Sequence, residues 1–222
     1  MKILFAASEA VPYAASGGLA DVTSSLPKAF CEKGHDCRVV MPLYKSIPDT
    51  LRDNMIFVKN ITVDVSWRKQ YCGIFKSVFE GITYYFIDNE YYFSRDGLYG
   101  FYDDCERFVF FDRAVLEMLK YVGFTPDIIN CHDWQMALIP VYYSIYYKYQ
   151  QGYGGIKNII TIHNIEYQGK YGKETLTELM GIPMYNASLL DYDGYVNMLK
   201  GGIETADRII TVSPSYAWEI LD

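Results

Sequence analysis

Apolar residues form short unbroken runs near both ends of the chain and mixed runs through its middle. Lys2–Ala7 (KILFAA) and Cys37–Pro42 (CRVVMP) are bounded by turn residues, the pattern of strands buried on both faces. Between them, Leu19 to Lys33 repeats its apolar positions with helical spacing, and Gly34 follows as a helix C-cap residue. Pro27 lies inside that helix and lacks an N–H, which predicts a kink or a break. Strand, helix, strand in this order is a βαβ unit, and it predicts a parallel sheet.

The middle of the chain changes character. Ile61–Trp67, Gly73–Phe79 and Thr83–Ile87 are rich in Val, Ile, Phe and Tyr, and read as strands or hairpins added to the α/β core. From Asp104 to Tyr121 the pattern is helical, with Phe108, Phe111, Val115 and Leu119 on one face. Alternation then resumes: Asp127–Cys131 as strand, Trp134 to Tyr149 as helix, Asn158–Ile162 as strand. A helix-rich stretch runs through Gly201, Arg208–Val212 is a further strand, and Ser213-Pro214 opens a last helix. The expected fold is α/β, a Rossmann-like parallel-sheet domain with added β-hairpins. The last helix is only two turns old at Asp222, which predicts a fragment with a second domain beyond it.

Composition narrows the classes. At 222 residues, half of them apolar, the chain can bury a sizeable core. Twenty-seven acidic residues against 20 Lys+Arg give a net charge of −7, which argues against a nucleic-acid partner. The longest apolar run, Met136 to Tyr147, is too short to span a bilayer, and the N-terminus lacks a signal-peptide core. Five cysteines without a CxxC pair predict buried thiols in a reducing compartment, with no disulfide or zinc framework. The expectation is a cytoplasmic protein with no membrane partner. Twenty-two tyrosines stand out, since tyrosine suits stacking on sugar rings.

Three motifs carry candidate chemistry. Ser16-Gly17-Gly18 follows the first strand and opens a helix, where free backbone N–H groups attract a phosphate. It is not the dinucleotide fingerprint: GxGxxG is missing, and the second strand ends in Pro42-Leu43 and not in an acidic residue. Asn130-Cys131-His132-Asp133-Trp134 sits at a strand end, as does His163 in Thr161-Ile162-His163-Asn164, so two of the three histidines occupy equivalent positions. No HExxH spacing supports a metal, and no GxSxG elbow supports an esterase. Asp191-Tyr192-Asp193 has the DxD spacing of some metal-dependent sugar transferases, but it reads as a solvated acidic face.

Together, SEAVPYAASGGLADVTSSLPKAF, CHDWQMALIP, TIHNIEYQG and LKGGIETADRIITVSPSYAWEI resemble the bacterial glycogen synthase and plant starch synthase family, in order and over essentially all 222 residues. The resemblance implies the N-terminal, acceptor-side half of a two-domain glycosyltransferase of the B-type fold, with residues 1–222 as that domain and the C-terminal nucleotide-sugar domain absent. It implies retaining transfer of glucose from ADP-glucose to the non-reducing 4-OH of an α-1,4-glucan, with no metal or other cofactor. By resemblance, Gly17 and Gly18 would hold the donor phosphates, Asp21 would lie near the donor, and His132 would orient the donor glucose. Asp103 in YDDCERF would stand beside the cleft, and His163 and Asn164 would line it toward the acceptor. Ala15 replaces the lysine that usually precedes the glycines, removing a cation from the donor side. A second functional class also fits: a glycan-binding module of the same fold that no longer catalyses.

Overall fold

The computed structural model describes residues 1–221. Its elements are β1 (Lys2–Ala6), α1 (Gly18–Glu32), β2 (Asp36–Pro42), α2 (Asp49–Arg52), β3 (Ile56–Val65), β4 (Arg68–Phe79) and β5 (Ile82–Asp88). There follow α3 (Glu90–Phe93), α4 (Asp104–Met118), β6 (Ile128–His132), α5 (Leu138–Tyr142) and β7 (Lys157–Ile162). The remainder comprises β8 (Lys170–Tyr171), α6 (Thr175–Glu178), β9 (Asp191–Tyr192), β10 (Tyr195–Asn197), α7 (Met198–Thr205), β11 (Arg208–Thr211) and α8 (Pro214–Glu219).

Eight strands form one sheet in the order β11-β7-β6-β1-β2-β5-β4-β3. The six from β11 to β5 are parallel, and β4 and β3 join antiparallel through hairpins. After β2 the chain runs out to the sheet edge at β3 and returns through β4 to place β5 beside β2. The next strand, β6, pairs with the other side of β1. The sheet order therefore reverses between β1 and β6. Loops leaving that point diverge, and in open parallel sheets this opens a crevice at the carboxyl ends of the strands.

Burial follows the pattern. Leu4, Phe5, Ala6, Val39, Val40, Met41, Ile129 and Cys131 are all buried in the central strands, which helices cover on both faces. Four of the five free cysteines are buried and Cys31 is half-buried. No helix among the described residues is long and apolar enough to cross a membrane.

Three local expectations need correction. Pro27 does not break its helix: α1 is continuous from Gly18 to Glu32. Ala20, Thr23, Ser24 and Pro27 form its buried face, and packing that stripe offsets the lost backbone hydrogen bond. The expected helix from Trp134 to Tyr149 is divided into a 3₁₀ turn at Trp134–Met136, α5, and a π turn at Tyr143–Tyr147. The buried Asp112 of α4 accepts the Leu138 N–H at 2.9 Å and starts α5 afresh, so Pro140 falls in a first turn that needs no N–H. The stretch before Gly201 is not helix-rich throughout. It contains a three-stranded sheet, β8-β10-β9, in which Asp191 and Tyr192 form β9, and Asp193-Gly194 make the turn into β10.

Candidate active site at the sheet switch point

The crevice between β1 and β6 opens into a cavity of about 970 Å³. Its first wall is the segment joining β1 to α1. Glu9, 3 % exposed, accepts hydrogen bonds from the Ser16 backbone N–H, from Ser16 Oγ at 3.0 Å and from the Tyr99 hydroxyl at 2.9 Å. Thr23 Oγ1 of α1 donates to the Glu9 carbonyl at 2.6 Å. This one residue thus pins both ends of the loop that delivers Gly17 and Gly18 to the cavity wall.

Neither glycine is required by the chain itself. Gly17 is extended at φ −165°, and a Cβ built on either residue meets no atom within 4 Å. No side chain caps the N-terminus of α1. The first turn of this fifteen-residue helix therefore presents its two glycines to open space among the described residues, with the Glu9 carboxylate engaged one residue earlier, at Ser16.

Gly169 is the opposite case. It adopts φ +63°, and a Cβ there would come within 2.5 Å of the Trp134 ring, which lines the cavity and packs edge-on against Phe108 at 5.3 Å. Gly169 is needed for the fold, whereas Gly17 and Gly18 leave room for a ligand.

The second wall comes from the ends of β6 and β7. His132 is the last residue of β6 and is fully buried; His163 follows β7 and lines the cavity. Their rings meet at Nδ1 of His132 and Nε2 of His163, 2.8 Å apart. Burial and the neighbouring His163 push His132 down to about 3, and burial pushes His163 down to about 4. Both rings are neutral at physiological pH, so the nitrogens share one proton. His132 Nε2 is buried and has no hydrogen-bond partner among the described residues.

Asp133 connects the two strand ends. Its Oδ1 accepts the His163 N–H at 2.7 Å and the Asn164 N–H at 3.4 Å, while its own N–H donates to the Thr161 carbonyl at 2.9 Å. Burial pushes its carboxyl up to about 6, against the lowering effect of those two N–H groups. Its backbone sits at φ 59°, ψ −172°, a region almost reserved for glycine. Such strain persists where surrounding contacts over-determine it, and here they do.

Of the residues expected from sequence, Gly17, Gly18, His163 and Asn164 line the cavity. His132 lies enclosed behind His163. Asp103 does not face the cavity: Arg95 holds its carboxylate through two bonds of 2.7 and 2.6 Å, and its neighbour Asp104 lines the wall instead. One residue of helical rotation separates the two, and α4 starts at Asp104. Ala15 and Asp21 are exposed, on the loop and on the first turn of α1, and neither lines the cavity. Sequence reasoning missed Glu9, Tyr99, Asp104 and Asp133 as wall residues. Asp133 carried a signal, being adjacent to His132 at a strand end; Glu9 and Tyr99 are joined only by folding.

The starch synthase catalytic domain family matches residues 2–222. The glycogen synthase of Clostridium kluyveri is 49% identical over 222 residues, covering 99% of this chain and 47% of that protein. The glycogen synthase of Lactobacillus acidophilus is 45% identical with the same coverage. The catalytic domain of starch synthase IV from Arabidopsis thaliana, solved bound to ADP and acarbose, superposes with a TM-score of 0.89 at 31% identity, covering 100% of this chain and 46% of that one. The chain spans about half the length of the curated relatives it matches. A switch-point cavity in a sheet of this order, together with a family match over nearly every residue, shows that the chain belongs to the starch synthase catalytic domain family of glycosyltransferases.

Proposed function

We propose that residues 1–222 form the N-terminal, acceptor-side half of a glycogen synthase. The complete protein would transfer glucose from ADP-glucose to the non-reducing 4-OH of an α-1,4-glucan, with retention. The observation that carries this reading is the open glycine wall. Gly17 and Gly18 answer no steric demand of the chain, and they start a helix whose N-terminus is uncapped. A diphosphate seated there would receive backbone N–H bonds, and the helix dipole would stabilise charge growing on the leaving group. The Arabidopsis relative, solved with ADP and acarbose, supports a nucleotide and a glucan as the ligand pair.

His132 would orient the donor glucose through its unpartnered Nε2. That atom is enclosed in the free chain, so seating the sugar requires movement of the side chains that cover it. His163, Asn164 and the exposed end of the cavity at Tyr167 would face the acceptor. Asp21 would act from the first turn of α1, at the donor's edge. Asp103 would act indirectly, by holding Arg95, while Asp104, at the wall, has its carboxylate engaged by the buried Arg107 and by the Gly100 N–H at 2.8 Å. With Ala15 in place of a lysine, donor affinity would rest on the glycine N–H groups and on the other half of the protein.

The test is a radiolabelled ADP-glucose assay with a glycogen primer, run on the 222-residue chain and on the complete protein. The complete protein should transfer label and the chain alone should not, because one wall leaves the site open to water. Turnover by the chain alone would overturn the division into halves. Glycogen binding by a complete protein that transfers nothing would favour a non-catalytic glycan-binding module.

A further inference from the structure

We propose that a second cavity, at the end of the sheet opposite the switch point, binds a small phosphorylated ligand, with its phosphate between Lys59 and Lys76 and a flat ring against Tyr121. The cavity measures about 680 Å³, within the range of pockets that take small molecules. Arg38 near the start of β2, Thr83 near the start of β5 and Val78 near the end of the antiparallel β4 place it at the amino ends of the parallel strands. It shares no lining residue with the switch-point cavity, and the proposal stands apart from the glucosyl reading.

The sheet register assembles the site. Lys76 of β4 pairs with Tyr85 of β5 and with Ile56 of β3; Val78 pairs with Thr83, which pairs in turn with Arg38. Paired residues point the same way, so these side chains share one face of the sheet. Tyr121 and Val122, just beyond α4, line the cavity from the other side. Lys59 lies three residues from Ile56, and strict alternation would turn it to the opposite face. A β-bulge between Phe57 and Lys59 absorbs one residue, so Lys59 pairs with Ile74, two positions from Lys76 on the same face. Lys59 Nζ lies 4.6 Å from the centre of the Tyr121 ring. The bulge thus brings a second ammonium group to the side where Lys76 stands.

Charge and hydrogen-bonding capacity select the ligand. Among the described residues no Asp or Glu lines the cavity, in a chain that carries 27 of them. Lys59 and Lys76 are exposed and enter no ion pair among the described residues. Arg38 is already engaged: Nε donates to Asp36 at 3.3 Å and Nη1 to the Tyr85 hydroxyl, so it braces the floor and leaves the lysines as the free cations. An ammonium group only donates, and phosphate oxygens are its matched acceptors. A neutral sugar would find no carboxylate here for its hydroxyls, and a purely apolar ligand would leave both ammonium groups without a partner. Tyr121, 41 % exposed, and the exposed side chains of Ile56 and Val78 supply the apolar surface for a ring. A phosphate carried on a flat ring answers both parts of the site.

The experiment is lysine acetylation footprinting of the complete protein, read residue by residue by mass spectrometry, with AMP, ribose 5-phosphate and adenosine as probes. AMP should slow acetylation of Lys59 and Lys76 together, with one midpoint, and by about tenfold at ten times that midpoint. The exposed Lys148, outside the cavity, should be unaffected. Ribose 5-phosphate should protect the same two lysines, and adenosine should protect neither. Lys76→Gln should abolish protection at Lys59, and added salt should weaken protection in the parent. Tyr121→Ala should raise the AMP midpoint about tenfold, the scale of losing one stacked ring. A ribose 5-phosphate midpoint that Tyr121→Ala leaves unchanged assigns the ring to the base; one that rises equally assigns it to the sugar.

Absence of protection by both phosphorylated probes overturns the proposal. So does equal protection by adenosine, which would remove the role of the phosphate, and so does protection at Lys59 that survives Lys76→Gln. If Tyr121→Ala does not fold, the parent and Lys76→Gln footprints decide. The readout needs no glucose transfer, so it stands whether or not the switch-point cavity is a glucosyl site.

Discussion

Asp133 Oδ1 accepts the backbone N–H of His163 at 2.7 Å, tying the last turn of chain after β6 to the residue that follows β7. Adjacent parallel strands have no direct loop between them, so beyond the last backbone bond of the ladder, Asp133 N–H to the Thr161 carbonyl, their ends are joined by this side-chain bond. The bond fixes the cavity-lining histidine, and through it the buried one. It also holds Asp133 in a backbone region that disfavours any side chain.

That strain can be measured by comparing two variants. Asp133→Ala and Asp133→Gly both lose the carboxylate and its two N–H bonds, but only glycine accepts φ 59° without penalty. The glycine variant should be more stable than the alanine variant by about 1–2 kcal/mol in urea unfolding. Equal stability would mean that the loop relaxes once the carboxylate is gone.

The pH dependence of stability follows from three groups whose shifts oppose one another. Asp133 holds its proton up to about 6 when folded, above the ordinary carboxylate value, so its contribution falls as pH rises from about 4 to 6. His132 and His163 lie at about 3 and 4 when folded, below the unfolded imidazole value of about 6.5. Their contribution is complete above about 6.5 and is lost as pH falls toward 4. Two histidine protons outweigh one from the aspartate across the shared window. Asp133→Asn removes the opposing group, so its urea midpoint should fall more steeply between about pH 6.5 and 4.5 than that of the parent. A shallower fall would contradict the assigned shifts.

The glycines separate fold from ligand. Gly17→Ala and Gly18→Ala place a methyl in open space, so melting temperatures should stay within about 2 °C of the parent. On the proposed reading, ADP binding by the complete enzyme should weaken about tenfold or more, because the methyl would enter the space proposed for the phosphates. Gly169→Ala should do the reverse in order of cause: it drives a Cβ into the Trp134 ring at φ +63° and should lower the melting temperature by several degrees before any ligand is added. Calorimetry and ADP titration on the same three variants check both halves.

Much of this architecture was legible in the sequence, and the failures have physical causes. Lys2–Ala7 and Cys37–Pro42 read as buried strands because a sheet covered on both faces needs unbroken apolar runs. The strand-end positions of His132 and His163 were readable; their 2.8 Å contact was not, since it depends on β6 and β7 being neighbours. Asp193-Gly194 between Tyr192 and Tyr195 is a clear hairpin signal, which the overlapping DxD spacing of Asp191 and Asp193 masks. Both turn residues have positive φ, as a tight two-residue β-turn requires. Asp103 and Asp104 could not be told apart without knowing where α4 begins and which carboxylate Arg95 would take. Glu9 looked like one loop residue among several until Ser16 and Tyr99, far apart in sequence, closed on it.

The central claim is that the strand-end histidine pair serves the transfer of a glucosyl group. It is tested most directly by the kcat of His132→Ala in the complete enzyme, with ADP-glucose and a glycogen primer. Removing one positioned group that acts chiefly in the transition state should lower kcat on the order of 10²-fold, with a much smaller change in donor KM. A variant whose kcat stays within about threefold of the parent, at unchanged stability, would contradict the account.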